Sequence, residues 1–266
     1  MIFGLFDSNK PVLPEESTQW LFDAFGWAMR NFGTDAFYQH SQLITPSNRH
    51  FPGRETSVDG MAHLIFEQVR RHAGVSNWPA QLLNHHDFQG DSALELNIRQ
   101  VFQAHSQGDS SAKLNFFYEP QQVGNPEAMI ANYAHAIAHH LGFLASEPPP
   151  CDDDQWLHLM EVVAVYMGFG LMLANTANPY RGGGCGRCRS PAMDRSGYLS
   201  ETEISYALAI FCVLKNIDPK EVTQNLKPSL KSFFKKAMKD VLNHTQAYAT
   251  LSTLESPNHV RQLSHE

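Results

Sequence analysis

Apolar residues recur along this sequence with two periodicities, one typical of helices and one typical of strands. Residues 14–32 and 57–73 carry apolar side chains three and four positions apart, which predicts two amphipathic helices. Shorter apolar or alternating runs predict strands at residues 42–45, 81–84, 93–98 and 113–119. The first part of the chain therefore has the pattern of a small mixed layer of helices and strands.

The second half of the sequence is helical in pattern, and its most distinctive stretch is residues 125–144, NPEAMIANYAHAIAHHLGFL. Asn125 suits a helix cap, Pro126 suits the first helical position, and Glu127 lies where the helix dipole favours an anion. No Asp, Glu, Lys or Arg follows until Glu147, so we expect a helix that is buried on nearly every side. Residues 155–175 are similarly apolar and predict a second buried helix.

Three further helices are predicted near the C-terminus. Ser200 and Glu203 form a capping box that opens a helix, Asp218 opens a short one, and residues 228–244 predict a basic amphipathic helix. The predicted fold class is therefore α+β. An N-terminal mixed layer, residues 1–120, packs on a helical half, residues 121–250, in one continuous domain that a tail, residues 251–266, follows.

Composition narrows the classes of function. Of 266 residues, 42% are hydrophobic and 18% are charged, which is typical of a globular protein with a sizeable core. The net charge is −7 and no run of Lys or Arg offsets it, which argues against a nucleic-acid partner. The start of the chain does not have the pattern of a signal peptide, and the longest apolar run is shorter than the ~20 residues of a membrane span. We expect a cytoplasmic protein without a membrane partner.

Three side chains in the two buried helices have the chemistry of a metal site. His135 and His139 lie four residues apart and therefore share a helix face. Glu161 is the only acidic residue of the following helix, which has no basic residue. A buried carboxylate must be protonated, paired or bound to a metal, because burying it alone costs several kcal/mol. One Zn²⁺ held by all three residues would satisfy them, since zinc takes imidazole nitrogen and carboxylate oxygen. A His pair at this spacing also occurs at surfaces and in hydrogen-bonded cores.

The sequence resembles the zincin metallopeptidases of the gluzincin type, in which the third zinc ligand is a Glu on the following helix. It looks closest to an uncharacterised bacterial zincin-like family. The matching segments are AHAIAH (134–139) and MEVVAVYMGFG (160–170), followed by GYLSE (197–201) and YALA (206–209). The resemblance covers residues 113–215 and implies a zincin-like fold, with His135, His139 and Glu161 as zinc ligands.

The chain departs from this family at the position that matters most for catalysis. The motif HExxH reads HAIAH here, so Ala136 stands where the general base would be. Losing a general base costs about 10²–10⁴ in rate, so standard proteolysis is not expected. In addition, Glu161 stands where an aspartate is expected from the uncharacterised bacterial family. Leu157 and His158 occupy the preceding turn, where a further acidic residue is expected. The sequence therefore assigns no catalytic residue.

Two functions remain open on this basis. The first is a divergent zinc-binding, metallopeptidase-like hydrolase. The second is a non-catalytic pseudopeptidase that binds a peptide or protein. Five residues are candidates for lining a substrate pocket, although each has a structural alternative as a core side chain or a partner of backbone or solvent: Tyr133, His140, His158, Tyr198 and Tyr206.

Cys185 and Cys188 form a CxxC pair, the second candidate site. Such a pair contributes to structural zinc sites or acts as a redox couple, which gives a third function, a thiol or structural-metal protein. Nearby arginines would lower the thiol pKa values or bind an anion. The alternative is a glycine-rich loop with two reduced thiols.

Overall fold

Helices make up most of the computed structural model, which describes residues 11–86, 96–177 and 197–254. The helices are α1 (Glu15–Phe32), α2 (Thr34–Gln39), α3 (Val58–His72), α4 (Ile98–Ser106), α5 (Pro126–Gly142), α6 (Trp156–Ala164), α7 (Gly170–Thr176), α8 (Glu201–Leu214), α9 (Pro219–Thr223), α10 (Pro228–Asn243) and α11 (Thr245–Ser252). Two strands, β1 (Ala80–Asn84) and β2 (Leu114–Tyr118), form a parallel sheet. The α+β class is therefore correct in the coarse sense of a mostly helical protein with a small sheet.

The sheet confirms two of the predicted strands and excludes others. β1 pairs with β2 in the register Ala80 to Leu114, and the two strands contact α3 and α5 respectively. Residues 42–45, predicted as a strand, have no strand pairing in the described part of the chain. Instead the Ile44 N–H donates a hydrogen bond to the Gly168 carbonyl at 3.1 Å. A local apolar run was therefore mistaken for a strand where an irregular segment packs on a helix.

The start of α4 shows why the predicted strand at residues 93–98 was wrong in its described part. The Asn97 side chain accepts a hydrogen bond from the Gln100 N–H at 3.1 Å, and the Gln100 side chain accepts one from the Asn97 N–H at 2.9 Å. This capping box satisfies two amide donors that a helix start would otherwise leave without partners, so Ile98 begins a helix. Residues 93–95 lie outside the described residues.

The core centres on α5, α6, α7 and α8, which contact one another and are largely buried. α1 packs against α6 and α8, and α10 packs along α8. The predicted helices at residues 14–32, 57–73, 125–144 and 228–244 are confirmed, as are the helix starts after Ser200 and Asp218. The segment Asp153–Thr176 is long and apolar enough to cross a membrane, but 89% of its most apolar window is buried inside the protein.

The apolar segment 155–175 is not the single helix that its composition predicted. α6 ends at Ala164, a π-helical turn follows over Val165–Phe169, and α7 begins at Gly170. Gly168 has φ +103°, a conformation that side-chain-bearing residues rarely adopt. A Cβ atom there would lie 2.0 Å from the Gln42 carbonyl oxygen, so glycine is required for the close approach of residues 42–44.

Replacing Gly168 tests this account of the kink. We expect Gly168→Ala to lower the free energy of unfolding by about 3 kcal/mol or more, because backbone strain adds to the clash with the Gln42 carbonyl. Urea unfolding measures the loss. Gly74→Ala is the matched control, because Gly74 also has positive φ (+74°) but nothing lies within 4 Å of its added Cβ. Equal losses in the two variants would contradict the requirement for close approach.

Candidate functional site

His135 lies on the face of α5 that packs against α6. Its Nε2 atom donates a hydrogen bond to the Leu157 carbonyl oxygen at 3.1 Å, since a carbonyl can only accept. Its ring stacks on the Tyr198 ring, with centroids 5.1 Å apart and an interplanar angle of 25°. His135 is therefore held between the first turn of α6 and the segment that leads into α8.

His139 lies one turn further along α5, in an aromatic environment. Its ring centroid is 5.0 Å from that of Phe143 and 6.3 Å from that of Trp156. Burial lowers the pKa of His139, so the neutral imidazole is favoured. Ala136 is partly buried and lies on α5 one residue after His135.

Glu161 is fully buried in α6, and its carboxylate binds backbone amides. Its Oε1 accepts a hydrogen bond from the Tyr198 N–H at 3.1 Å, and its Oε2 accepts one from the Leu199 N–H at 2.7 Å. Ser200, the next residue, caps α8 in the predicted capping box with Glu203. The carboxylate therefore fixes the start of α8 against α6. Hydrogen bonds to a charged acceptor are stronger than neutral ones, which offsets the cost of burial.

Tyr198 connects the predicted ligands. Its ring contacts His135, its backbone N–H binds Glu161, and its ring centroid lies 5.9 Å from that of His158. The Nδ1 atom of His158 is buried and has no hydrogen-bond partner in the described structure. Tyr198 is 43% exposed, whereas the histidines beside it are partly buried. We use the name aromatic–imidazole patch for His135, His158 and Tyr198, which contact one another through the Tyr198 ring, together with the separate pair His139 and Trp156 on the same two helices.

Of the other predicted pocket residues, Tyr133 and Tyr206 lie elsewhere, whereas the His140 ring centroid is 5.9 Å from that of His139. The rings of Tyr133 and His140 pack at 5.3 Å from Phe66 and Phe116 respectively, on the side of α5 that meets α3 and β2. Burial raises the pKa of Tyr133 and lowers that of His140 to about 4. Tyr206 donates a hydrogen bond to Asp240 at 2.8 Å and so joins α8 to α10.

Among the members of the patch, the sequence failed to identify Trp156. The only available signal was its place in the first turn of the helix that carries Glu161. The backbone partners of the site, the Leu157 carbonyl and the amides of Tyr198 and Leu199, have no sequence signal at all, because every such residue carries the same groups.

The predicted zinc ligands lie on two packed helices, His135 and His139 on α5 and Glu161 on α6. Residues 11–86, 96–177 and 197–254 contain no group of three or more His, Cys, Asp or Glu side chains that could hold one. The Nε2 atom of His135 carries the proton that it donates to Leu157, and both Glu161 oxygens accept amide hydrogens. The zinc site stays a prediction from the sequence. Cys185 and Cys188, the second predicted site, lie outside the described residues.

The fold and the patch together define a mostly helical protein with a small parallel sheet and a histidine-rich surface beside its central helix. Comparison with known proteins finds no matching family model, no matching curated protein and no matching solved structure. The resemblance to zincins therefore rests on its motif residues alone.

The role of Glu161 can be tested by an isosteric change. We expect Glu161→Gln to lower the free energy of unfolding by about 1–3 kcal/mol, because an amide offers one acceptor oxygen to two buried N–H donors. Urea unfolding measures the loss. Glu203→Gln is the control, because its side-chain bonds to Ser200 at the cap are only partly buried; we expect about 1 kcal/mol or less there. An unchanged free energy of unfolding in Glu161→Gln would contradict the proposed role of the carboxylate in holding the start of α8 against α6.

Proposed function

We propose that this chain is a zincin-like protein without peptidase activity, which binds a peptide or protein segment through the aromatic–imidazole patch. The observation that carries the proposal is Ala136. A methyl group stands between the two helical histidines, where a zincin peptidase has the carboxylate that takes a proton from the attacking water.

The hydrogen bonds of the site support the loss of catalysis. A catalytic zinc site needs three protein ligands and an open position. Here the Glu161 carboxylate is engaged by two amides and His135 by a carbonyl, so both side chains have structural partners within the protein. We therefore expect the Glu161 and His135 side chains to hold the helices in place and not to take part in a reaction.

The composition of the patch supports a peptide or protein ligand. Tyr and Trp rings supply large contact areas with a polar edge, and aromatic residues are enriched in protein interfaces. His158 contributes only the side of its ring, because its Nδ1 atom is buried and a ligand outside the protein cannot reach that atom without a rearrangement. The exposed ring of Tyr198 lies beside it.

A second candidate function, a divergent zinc-binding hydrolase, is favoured by one observation. His135 and Glu161 both contact Tyr198, so two of the three predicted ligands share a neighbour. With Nε2 protonated for its hydrogen bond to Leu157, a metal would have to bind Nδ1 of His135, because a coordinating nitrogen cannot carry a proton.

Metal analysis and a restoration experiment separate the two functions. For a non-catalytic protein, we expect less than about 0.1 equivalent of zinc after purification and no cleavage of a quenched fluorescent peptide library. We also expect Ala136→Glu to remain inactive, because a base alone has no metal-bound water to activate. About one equivalent of zinc that is lost in His135→Ala, with chelator-sensitive cleavage by the wild-type chain, would establish the second function instead.

Binding through the patch can be tested with a matched pair of exposed tyrosines. On an array of random peptides, we expect the wild-type chain to bind a subset that Tyr198→Ser binds at least about tenfold more weakly, because interface aromatics often dominate affinity. Tyr38→Ser is the control: Tyr38 is 40% exposed, close to the 43% of Tyr198, but lies on α2. Equal weakening by both substitutions, or no peptide bound, would contradict the proposal.

A further inference from the structure

The lysines of the chain are concentrated on one part of the fold, although no run in the sequence marks them. Seven lysines lie between residues 215 and 239, in a chain whose net charge is −7. Two of these are engaged with other parts of the protein. Lys215 donates to the carbonyls of Phe37 and Tyr38, and Lys227 pairs with Glu201.

Four of the remaining lysines share the outer face of α10: Lys231, Lys235, Lys236 and Lys239. At about 100° per residue they cover an arc of about 140°, opposite the buried side formed by Leu230, Phe234, Ala237 and Val241. Lys235, Lys236 and Lys239 are exposed and Lys231 is partly buried. We call this surface the lysine face.

Among the described residues, the charges of the lysine face have no ion-pair partner. The only acidic residue of α10, Asp240, accepts a hydrogen bond from Tyr206 at 2.8 Å and lies 3.4 Å from the His244 ring nitrogen. Its carboxylate is therefore engaged with α8 and the start of α11.

We infer that the lysine face is a docking surface for a short acidic segment of a partner protein. Lys231 and Lys239 are eight positions apart, which spans about 12 Å of helix, or about four residues of an extended strand. At physiological salt, charges are screened beyond about 8 Å, so the surface attracts groups that lie directly on it. A compact acidic segment fits this length.

Two features favour a carboxylate-bearing protein over a phosphate surface. The face contains only lysines, whereas arginine provides the bidentate geometry that phosphate and nucleic-acid recognition uses most. Leu242 is 52% exposed and lies on the helix within about 20° of Lys235. An apolar side chain beside charges matches a protein interface, which combines an apolar centre with a polar rim. The inference does not depend on the function of the aromatic–imidazole patch.

A labelled peptide of glutamate and leucine, EELEELEELE, provides a defined probe. Fluorescence anisotropy should detect binding by the full chain at low salt and a weaker interaction as salt is raised. We expect the double variant Lys235→Glu with Lys239→Glu to bind at least about tenfold more weakly. The charge-matched control is Arg54→Glu with Lys113→Glu, two exposed positions away from α10, and should stay within about twofold of wild type.

The apolar part of the inference has its own test. Leu242→Ser should weaken binding of EELEELEELE several-fold and leave binding of EESEESEESE unchanged, because the second peptide has no apolar group to lose. Circular dichroism checks that each variant retains its helices.

Four outcomes would overturn the inference. They are no peptide binding at low salt, equal weakening by the control pair, tighter binding of duplex DNA or phosphatidylserine vesicles than of the peptide, and salt-sensitive dimers of the chain that Lys235→Glu with Lys239→Glu abolishes.

Discussion

The buried carboxylate of Glu161 is the interaction on which the arrangement of the site depends. It lies in a helix with no basic residue, and it binds the amides of Tyr198 and Leu199 immediately before α8. Because an unpaired buried carboxylate would cost several kcal/mol, this pairing restricts how α8 can enter the core. The Tyr198 ring is then placed over His135 and beside His158, which forms one part of the aromatic–imidazole patch.

Local sequence signals predicted most of the fold, and the failures occurred where a distant contact decided the outcome. Capping residues such as Asn125 and Ser200 marked helix starts correctly, because their side chains bind amides three residues away. The kink at Gly168 depends on residues 42–44, more than a hundred positions earlier, so helical periodicity could not reveal it. The capping box at Asn97 was a local signal that apparent strand alternation obscured.

The sequence predicted the residues of the candidate site but not the backbone groups that they bind. The isolation of Glu161 in an apolar helix correctly indicated that the carboxylate needs a partner. Sequence reasoning could not distinguish a metal ion from backbone amides, because amides occur at nearly every position and leave no signature. The same limit applies to His135, whose hydrogen-bond partner is the carbonyl of Leu157. The sequence therefore identified side chains that need polar partners, and the packing of α6 against α5 and α8 shows the backbone groups that they bind.

Helix α8 supports both surfaces through which this protein is proposed to bind its partners. Its N-terminal approach carries Tyr198 and is held by Glu161, and its middle is joined to α10 through the hydrogen bond from Tyr206 to Asp240. Because α8 is almost entirely buried, neither contact can shift without repacking the core. The hydrogen bond to Tyr206 also engages the only carboxylate of α10. The helix that closes the apolar core thereby positions Tyr198 of the aromatic–imidazole patch at one end and supports the helix that carries the lysine face.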